Sequence, residues 1–228
     1  YKFSNYPSVI IKKIFSNVYL STFSKIQNEP KRMFKYFDKT MTYIYICMSP
    51  ILFTIYVLSE SLIHYMGENW LPMIPIFKVL LIIAIFTPLH TLNLTVLKSQ
   101  GKGNYFLFIE VVKKLLLLIV IFSTFRFGIM GLVVGQVFAV FIEYFINSWY
   151  ANKFFMIKWH YQLKLILINF FPVILVITIF ELLLKPNNSL IFIFMYLFTG
   201  WSMYCLWIFS KKSIEIKELL LLINKRFA

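Results

Sequence analysis

Apolar residues run in long blocks along this chain, and polar residues gather between them. Six blocks stand out: 41–63, 72–97, 104–125, 128–151, 162–184 and 189–209. No charge falls between Thr40 and Ser59, or between Pro186 and Ser210. At about 1.5 Å per residue, twenty such residues cross a hydrocarbon core of about 30 Å. Each block predicts a membrane-crossing helix. Residues 1–24 differ: Lys2, Asn5, Lys12, Lys13, Ser16 and Asn17 interrupt Ile10, Ile11, Ile14, Phe15, Val18 and Leu20. Two readings stay open there, an amphipathic surface helix or the inner part of a truncated membrane helix facing a polar interior. Segment 25–40 reads as a polar connection in which Pro30 starts a short helix. In 210–228, Ile216, Leu219, Leu220, Ile223 and Phe227 share one helical stripe, which predicts an amphipathic tail on the membrane surface.

Within the blocks, Pro50, Pro75 and Pro88 are tolerable where neighbours satisfy the freed carbonyls. Gly67 serves a turn and Trp70 an interface anchor. Gly128, Gly131 and Gly135, three to four apart, predict a close helix contact beside a tight hairpin at Arg126–Phe127.

Charge then orients the chain. Basic residues in 24–40, 64–71, 98–103, 126–127, 152–164, 185–188 and the tail number 5, 0, 2, 1, 3, 1 and 5. Positively charged loops stay cytoplasmic, so 25–39, 98–103, 152–163 and 211–228 are expected inside, with the C-terminus. A net charge of +14 can mean nucleic acid, but 15 of the 23 basic residues fall in the four basic-rich segments 24–40, 98–103, 152–164 and the tail. They set topology and attract anionic lipid, so the expected partner is the bilayer and not nucleic acid. The chain is 60% apolar with mean hydropathy +0.78, beyond an ordinary soluble domain. The fold class is an all-α integral membrane protein, a polytopic helical bundle. Because the chain opens at Tyr1 with no initiator methionine, it is expected to be a piece of a longer protein.

Little in the sequence offers covalent chemistry. Cys47 and Cys205 read as buried hydrophobes and not as a disulfide. His64, His90 and His160 have no metal-ligand spacing, and Gly101-Lys102-Gly103 lacks the phosphate-loop frame. No metal or cofactor is expected.

Five segments in order carry a resemblance: FSKIQNEPKR (23–32), GENWLPMIPIFKVL (67–80), TPLHTLNLTVLKSQGKGN (87–104), IEVVKKLLLL (109–118) and FGIMGLVVGQV (127–137). Together they resemble the second half of bacterial oligosaccharide flippases of the WzxC-like polysaccharide-export group. That group belongs to the superfamily that also holds multidrug extruders. The resemblance implies part of the second lobe of a two-lobe exporter fold plus two extra C-terminal helices. It also implies a bacterial inner-membrane location and, as substrate, an oligosaccharide on a polyprenyl diphosphate (for O-antigen, lipopolysaccharide or exopolysaccharide). A polysaccharide polymerase and the export machinery are further expected partners.

Ionisable residues inside spans are costly and tend to be functional. Glu110, Lys113 and Lys114 share a helix flank. By rise per residue, His90 and Glu143 reach the same level, with Asn93 one turn nearer the cytoplasm. Three readings compete. In one, Glu110 neutralises Lys114 while Lys113 snorkels to the interface. In another, Lys12, Lys13, Lys113 and Lys114 line a cationic, water-filled cavity for a diphosphate. In the third, Glu143 pairs with Lys113 or Lys114 as a gate, with Glu110, His90 and Asn93 nearby. Lys78 and Glu181, near the outer face, are expected to snorkel. Transport, with no bond broken, is therefore the expected activity. A multidrug or cation antiporter is the alternative. A sugar polymerase or ligase is less favoured, because the largest outer loop is about eight residues and holds no nucleophile, carboxylate pair or metal set.

Overall fold

The computed structural model describes residues 19–155, 157–184 and 189–210. It is all-α, with no strand among the described residues. A helical stretch over 19–25 leads into six helices. These are α1 (Pro30–Met66), α2 (Met73–Ser99), α3 (Gly103–Thr124), α4 (Gly128–Phe155), α5 (Trp159–Ile179) and α6 (Leu190–Ser210). A π-helical segment, Phe180–Leu184, extends α5. Four of these elements are long and apolar enough to cross a membrane: α1, α2, α5 with its extension, and α6. The protein is thus a polytopic membrane protein. α3 is as apolar as α2 but carries three charges, Glu110, Lys113 and Lys114, within 22 residues.

α1 departs from the short helix expected after Pro30. Pro30 does start it, and the Glu29 carbonyl accepts the first bond from the Met33 amide at 3.0 Å. The helix then continues for 37 residues without a break. The reason is a stripe of Met33, Phe37 and Met41, all buried, whose spacing of four keeps one helical face against the core. Phe23, also fully buried, packs edge-on against Tyr36.

The chain divides into two compact units. The first takes residues 1–41 and 75–164. In it, α3 and α4 form a hairpin around the 3-10 turn Phe125–Phe127 and Gly128, whose φ of 70° lies in the left-handed region that favours glycine. The expected close contact is there. A Cβ on Gly135 would lie 2.8 Å from Thr124 Cγ2 and 2.9 Å from Val120 Cγ1. On Gly131 it would meet the Phe127 Cβ.

The second unit takes residues 42–74 and 165–228. Its core gathers Phe53 and Val57 of α1, Val173 and Val176 of α5, Phe180, and Tyr196 and Tyr204 of α6. Gly200 permits the closest approach: a Cβ there would run into the Phe53 ring. Two prolines sit mid-helix here, Pro50 in α1 and Pro172 in α5. Each lacks an N–H, so the carbonyl four residues back loses its helical donor. Those carbonyls belong to Ile46 and Ile168. The Tyr204 hydroxyl donates to the first at 3.0 Å, and Trp207 Nε1 donates to the second at 3.1 Å. One turn of α6 thereby supplies both missing donors.

One expectation in this unit needs correction. Cys47 and Cys205 are free thiols on exposed faces, not buried hydrophobes. Glu181 accepts a hydrogen bond from the Tyr56 hydroxyl at 3.0 Å, which holds it against α1.

Candidate functional site

A cavity of about 430 Å³ opens inside the first unit, between α2, α3 and α4. Helical periodicity assembles it. On α2, Ile83, Thr87, His90, Thr91, Leu94, Thr95 and Lys98 follow steps of three and four and so share one face. On α3, Phe106, Glu110 and Lys113 do the same, and α4 adds Val140 and Glu143.

The polar lining has a definite hydrogen-bond character. Thr87, Thr91 and Thr95 each donate to the carbonyl four residues earlier, at 3.1, 3.0 and 2.7 Å. Their hydroxyl protons are committed, so the oxygens can only accept from anything in the cavity. Lys113 Nζ pairs with Glu110 Oε1 at 2.9 Å. The pair is lopsided: the Lys113 side chain is 9% exposed and that of Glu110 36%. Lys98, exposed, places its ammonium 4.0 Å from the Phe106 ring centre. Lys98 and Lys113 against Glu110 and Glu143 leave the cavity formally neutral when His90 is uncharged.

His90 joins the cavity to a buried amide network. Asn147 Nδ2 lies 2.7 Å from His90 Nδ1. With the amide donating, the imidazole carries its proton on Nε2, the tautomer implied by that assignment. Asn93 points elsewhere: its Nδ2 donates to Gln162 Oε1 at 2.9 Å, and Ser148 Oγ donates to the same oxygen at 3.1 Å. Gln162 donates in turn to the Ile157 carbonyl. Asn93, Asn147, Ser148 and Gln162 are all fully buried.

The expected site residues therefore part company. His90, Glu110, Lys113 and Glu143 meet in one cavity. Lys114 is exposed outside it, so Glu110 neutralises Lys113 and not Lys114. The cause is the turn angle, since the i+3 lysine faces α2 and α4 while the i+4 lysine turns past them. Asn93 holds helices together behind the cavity wall. Lys12 and Lys13 lie outside the described residues. Lys98 and the threonines went unnoticed in the sequence, although 87, 91, 95 and 98 form a readable polar stripe on an apolar helix. Among the described residues, no three of His, Cys, Asp and Glu gather as a metal site.

Residues 1–75 match the family model described as polysaccharide biosynthesis protein. That segment covers the lead-in, α1 and the turn into α2, and ends before the first cavity residue, Ile83. No curated protein and no solved structure matches the chain. The protein is a polytopic membrane protein whose first third is similar to polysaccharide biosynthesis proteins.

Proposed function

We propose that the chain moves a polyprenyl diphosphate-linked oligosaccharide across the bacterial cytoplasmic membrane for surface polysaccharide synthesis. The observation that carries this reading is the polar, ion-paired cavity in a membrane protein whose start is similar to polysaccharide biosynthesis proteins. Its volume lies within the range of small-molecule sites, about 300–1,000 Å³, so it takes a head group and not a whole glycan.

The chemistry follows from the side chains. A diphosphate needs cations, and lysine serves a mobile phosphate as a point charge without a fixed fork. Lys98, exposed at the edge, meets the head group first. Lys113 then exchanges Glu110 for phosphate oxygen, and the more exposed Glu110 swings to water. Glu110 is a placeholder that keeps a buried ammonium paired between cycles. The threonine oxygens accept from sugar hydroxyls, while Glu143 and His90 bound the inner wall. Alternating access carries the head group over while the lipid tail stays in the bilayer. A required positive charge is proposed as well at Lys114, exposed outside the cavity, and at Lys12 and Lys13, which lie outside the described residues, while Asn93 supports the cavity wall. The step is transport and breaks no bond. The C-terminus lies in the cytoplasm, and the polymerase and export machinery act on the product.

The test is export in the native host. K98Q/K113Q at normal protein level should cut surface polysaccharide at least tenfold and raise the lipid-linked precursor. K98R/K113R should retain part of the export. Full export by K98Q/K113Q and by K12Q/K13Q/K113Q/K114Q would refute the cationic path. A second reading, a drug or cation antiporter, is favoured by the two cavity carboxylates. It requires that E110Q/E143Q sensitise cells to cationic drugs with polysaccharide unchanged.

A further inference from the structure

At the starts of α1 and α5, the first unit carries a group of lysines that the cavity does not use. The two helix starts are joined there. The Tyr161 hydroxyl donates to Asp38 Oδ1, and the Phe34 and Tyr161 rings lie 5.1 Å apart. Lys31 precedes Phe34 by three residues and Lys35 precedes Asp38 by three, so both neighbour this contact on the α1 surface. Lys158 and Lys164 stand three residues either side of Tyr161. The Lys158 carbonyl accepts from the Tyr161 and Gln162 amides at 3.2 and 3.4 Å, which fixes it at the start of α5. All four lysines are exposed.

Their charge is not compensated locally. None of the four forms an ion pair among the described residues. The carboxylates at hand are committed: Glu29 pairs with Arg32 at 2.9 Å, and Asp38 accepts the Tyr161 hydroxyl. Like charges gathered at one contact repel one another, and an anion among them relieves the repulsion. A second observation gives the level of the patch. α1 and α5 both continue from it as helices long and apolar enough to cross a membrane. Trp159, 47% exposed, stands beside Lys158, and exposed tryptophan favours the head-group level of a bilayer.

We propose that Lys31, Lys35, Lys158 and Lys164 form a docking surface for the head group of an anionic phospholipid. The two helix starts share the phosphate, while the acyl chains stay in the bilayer. Lysine suits this ligand, because a point charge with three donors follows a mobile phosphate without a fixed fork. Net negative charge is what the surface selects. A zwitterionic head group offers the same phosphate but brings its own cation, which four lysines repel. A soluble anion lacks the chains that hold a head group at this level. General attraction between basic loops and a membrane singles out no residues. Here the charge is placed around one ring contact, half of it from each helix. The occupied surface therefore also links the start of α1 to the start of α5. The assignment is independent of the cargo in the cavity and of the leaflet that the surface faces.

The test follows the thermal midpoint of the purified full chain in neutral detergent micelles as phosphatidylglycerol replaces phosphatidylcholine. Saturation should raise the midpoint by roughly 5 °C. About 1 M salt, where the screening length is about 3 Å, should remove most of the rise. K31Q/K35Q/K158Q/K164Q should need about threefold more phosphatidylglycerol, or more still, for half the response. K31Q/K35Q and K158Q/K164Q should each show part of that shift, which keeps the test open if the quadruple variant does not fold. K31R/K35R/K158R/K164R should respond as the native chain does. So should K211Q/K212Q/K217Q/K225Q, which takes as many lysines from the tail. A native half-point in the quadruple Gln variant and in both double variants would overturn the site. An equal shift in the tail variant would replace it with diffuse attraction. An equal rise with phosphatidylcholine alone or with inorganic phosphate would overturn the choice of lipid class. No rise in the native chain would do the same and leave an acidic protein segment as the occupant.

Discussion

Lys113 shows how a single side chain is kept charged within an apolar helix. It is nearly buried, and Glu110 one turn earlier cancels its charge at 2.9 Å. Removing Glu110 alone strands a buried ammonium, whereas removing both charges leaves two amides that can bond each other. A fully buried pair loses about 3–5 kcal/mol when one partner goes. Solvent around the partly exposed Glu110 reduces this, so E110Q should cost about 2 kcal/mol in thermal unfolding in detergent. E110Q/K113Q should recover most of that loss, giving a coupling well outside additivity. Additive single and double variants would mean that the pair carries no energetic weight. Spacing alone could not choose between Lys113 and Lys114 as the partner, because both neighbour Glu110 on the helix surface. What decides is which lysine α2 and α4 enclose, and that belongs to tertiary packing.

Among the elements, α6 is distinctive for what it gives to its neighbours. It is the least charged helix, yet Tyr204 and Trp207 bond carbonyls that prolines leave open on two other helices. Tyr204→Phe should therefore cost about 1–3 kcal/mol, the penalty for an unsatisfied buried carbonyl. The cause can be isolated with Pro50→Ala, which restores the amide donor to Ile46. In that background the cost of Y204F should fall by at least half in the same unfolding measurement. An unchanged cost would show that Tyr204 acts by packing alone. That Pro50 needed an outside donor was legible in the sequence, whereas Pro172 came to notice only with the structure. Which residues would supply the donors was not legible, since Tyr204 and Trp207 look like any interface aromatics until α6 is placed. The same limit applies to α1. Lys31, Arg32, Lys35, Asp38 and Lys39 made 30–40 look like a connection, while the buried stripe of Met33, Phe37 and Met41 carries the helix through it. Charge was the louder signal there, and burial was the one that governed.

For the whole molecule, the helices cover the apolar blocks because a backbone in lipid must satisfy its own polar groups. Orientation is a separate matter, carried by the lysines and arginines between the blocks. Their alternation predicts the Gly67–Leu71 turn outside, and both the α2–α3 turn and the residues around Asn152 inside. Thiol accessibility reads this directly. Cys47 and Cys205 are exposed on helix faces and must first be replaced, for example by alanine, to give a silent background. A single cysteine at Asn69, in the exposed Glu68–Trp70 turn, should react with a membrane-impermeant maleimide in intact cells. Cysteines at Gln100 and Asn152 should react only after the membrane is opened. Reaction of Gln100 and Asn152 in intact cells, with Asn69 silent, would invert the molecule. The lysine-rich edge of the cavity at Lys98 would then face outward, away from the leaflet where a lipid-linked precursor is made. Flipping from the inner leaflet would lose its entry point, so this one labelling pattern bears on the orientation and on the proposed transport together.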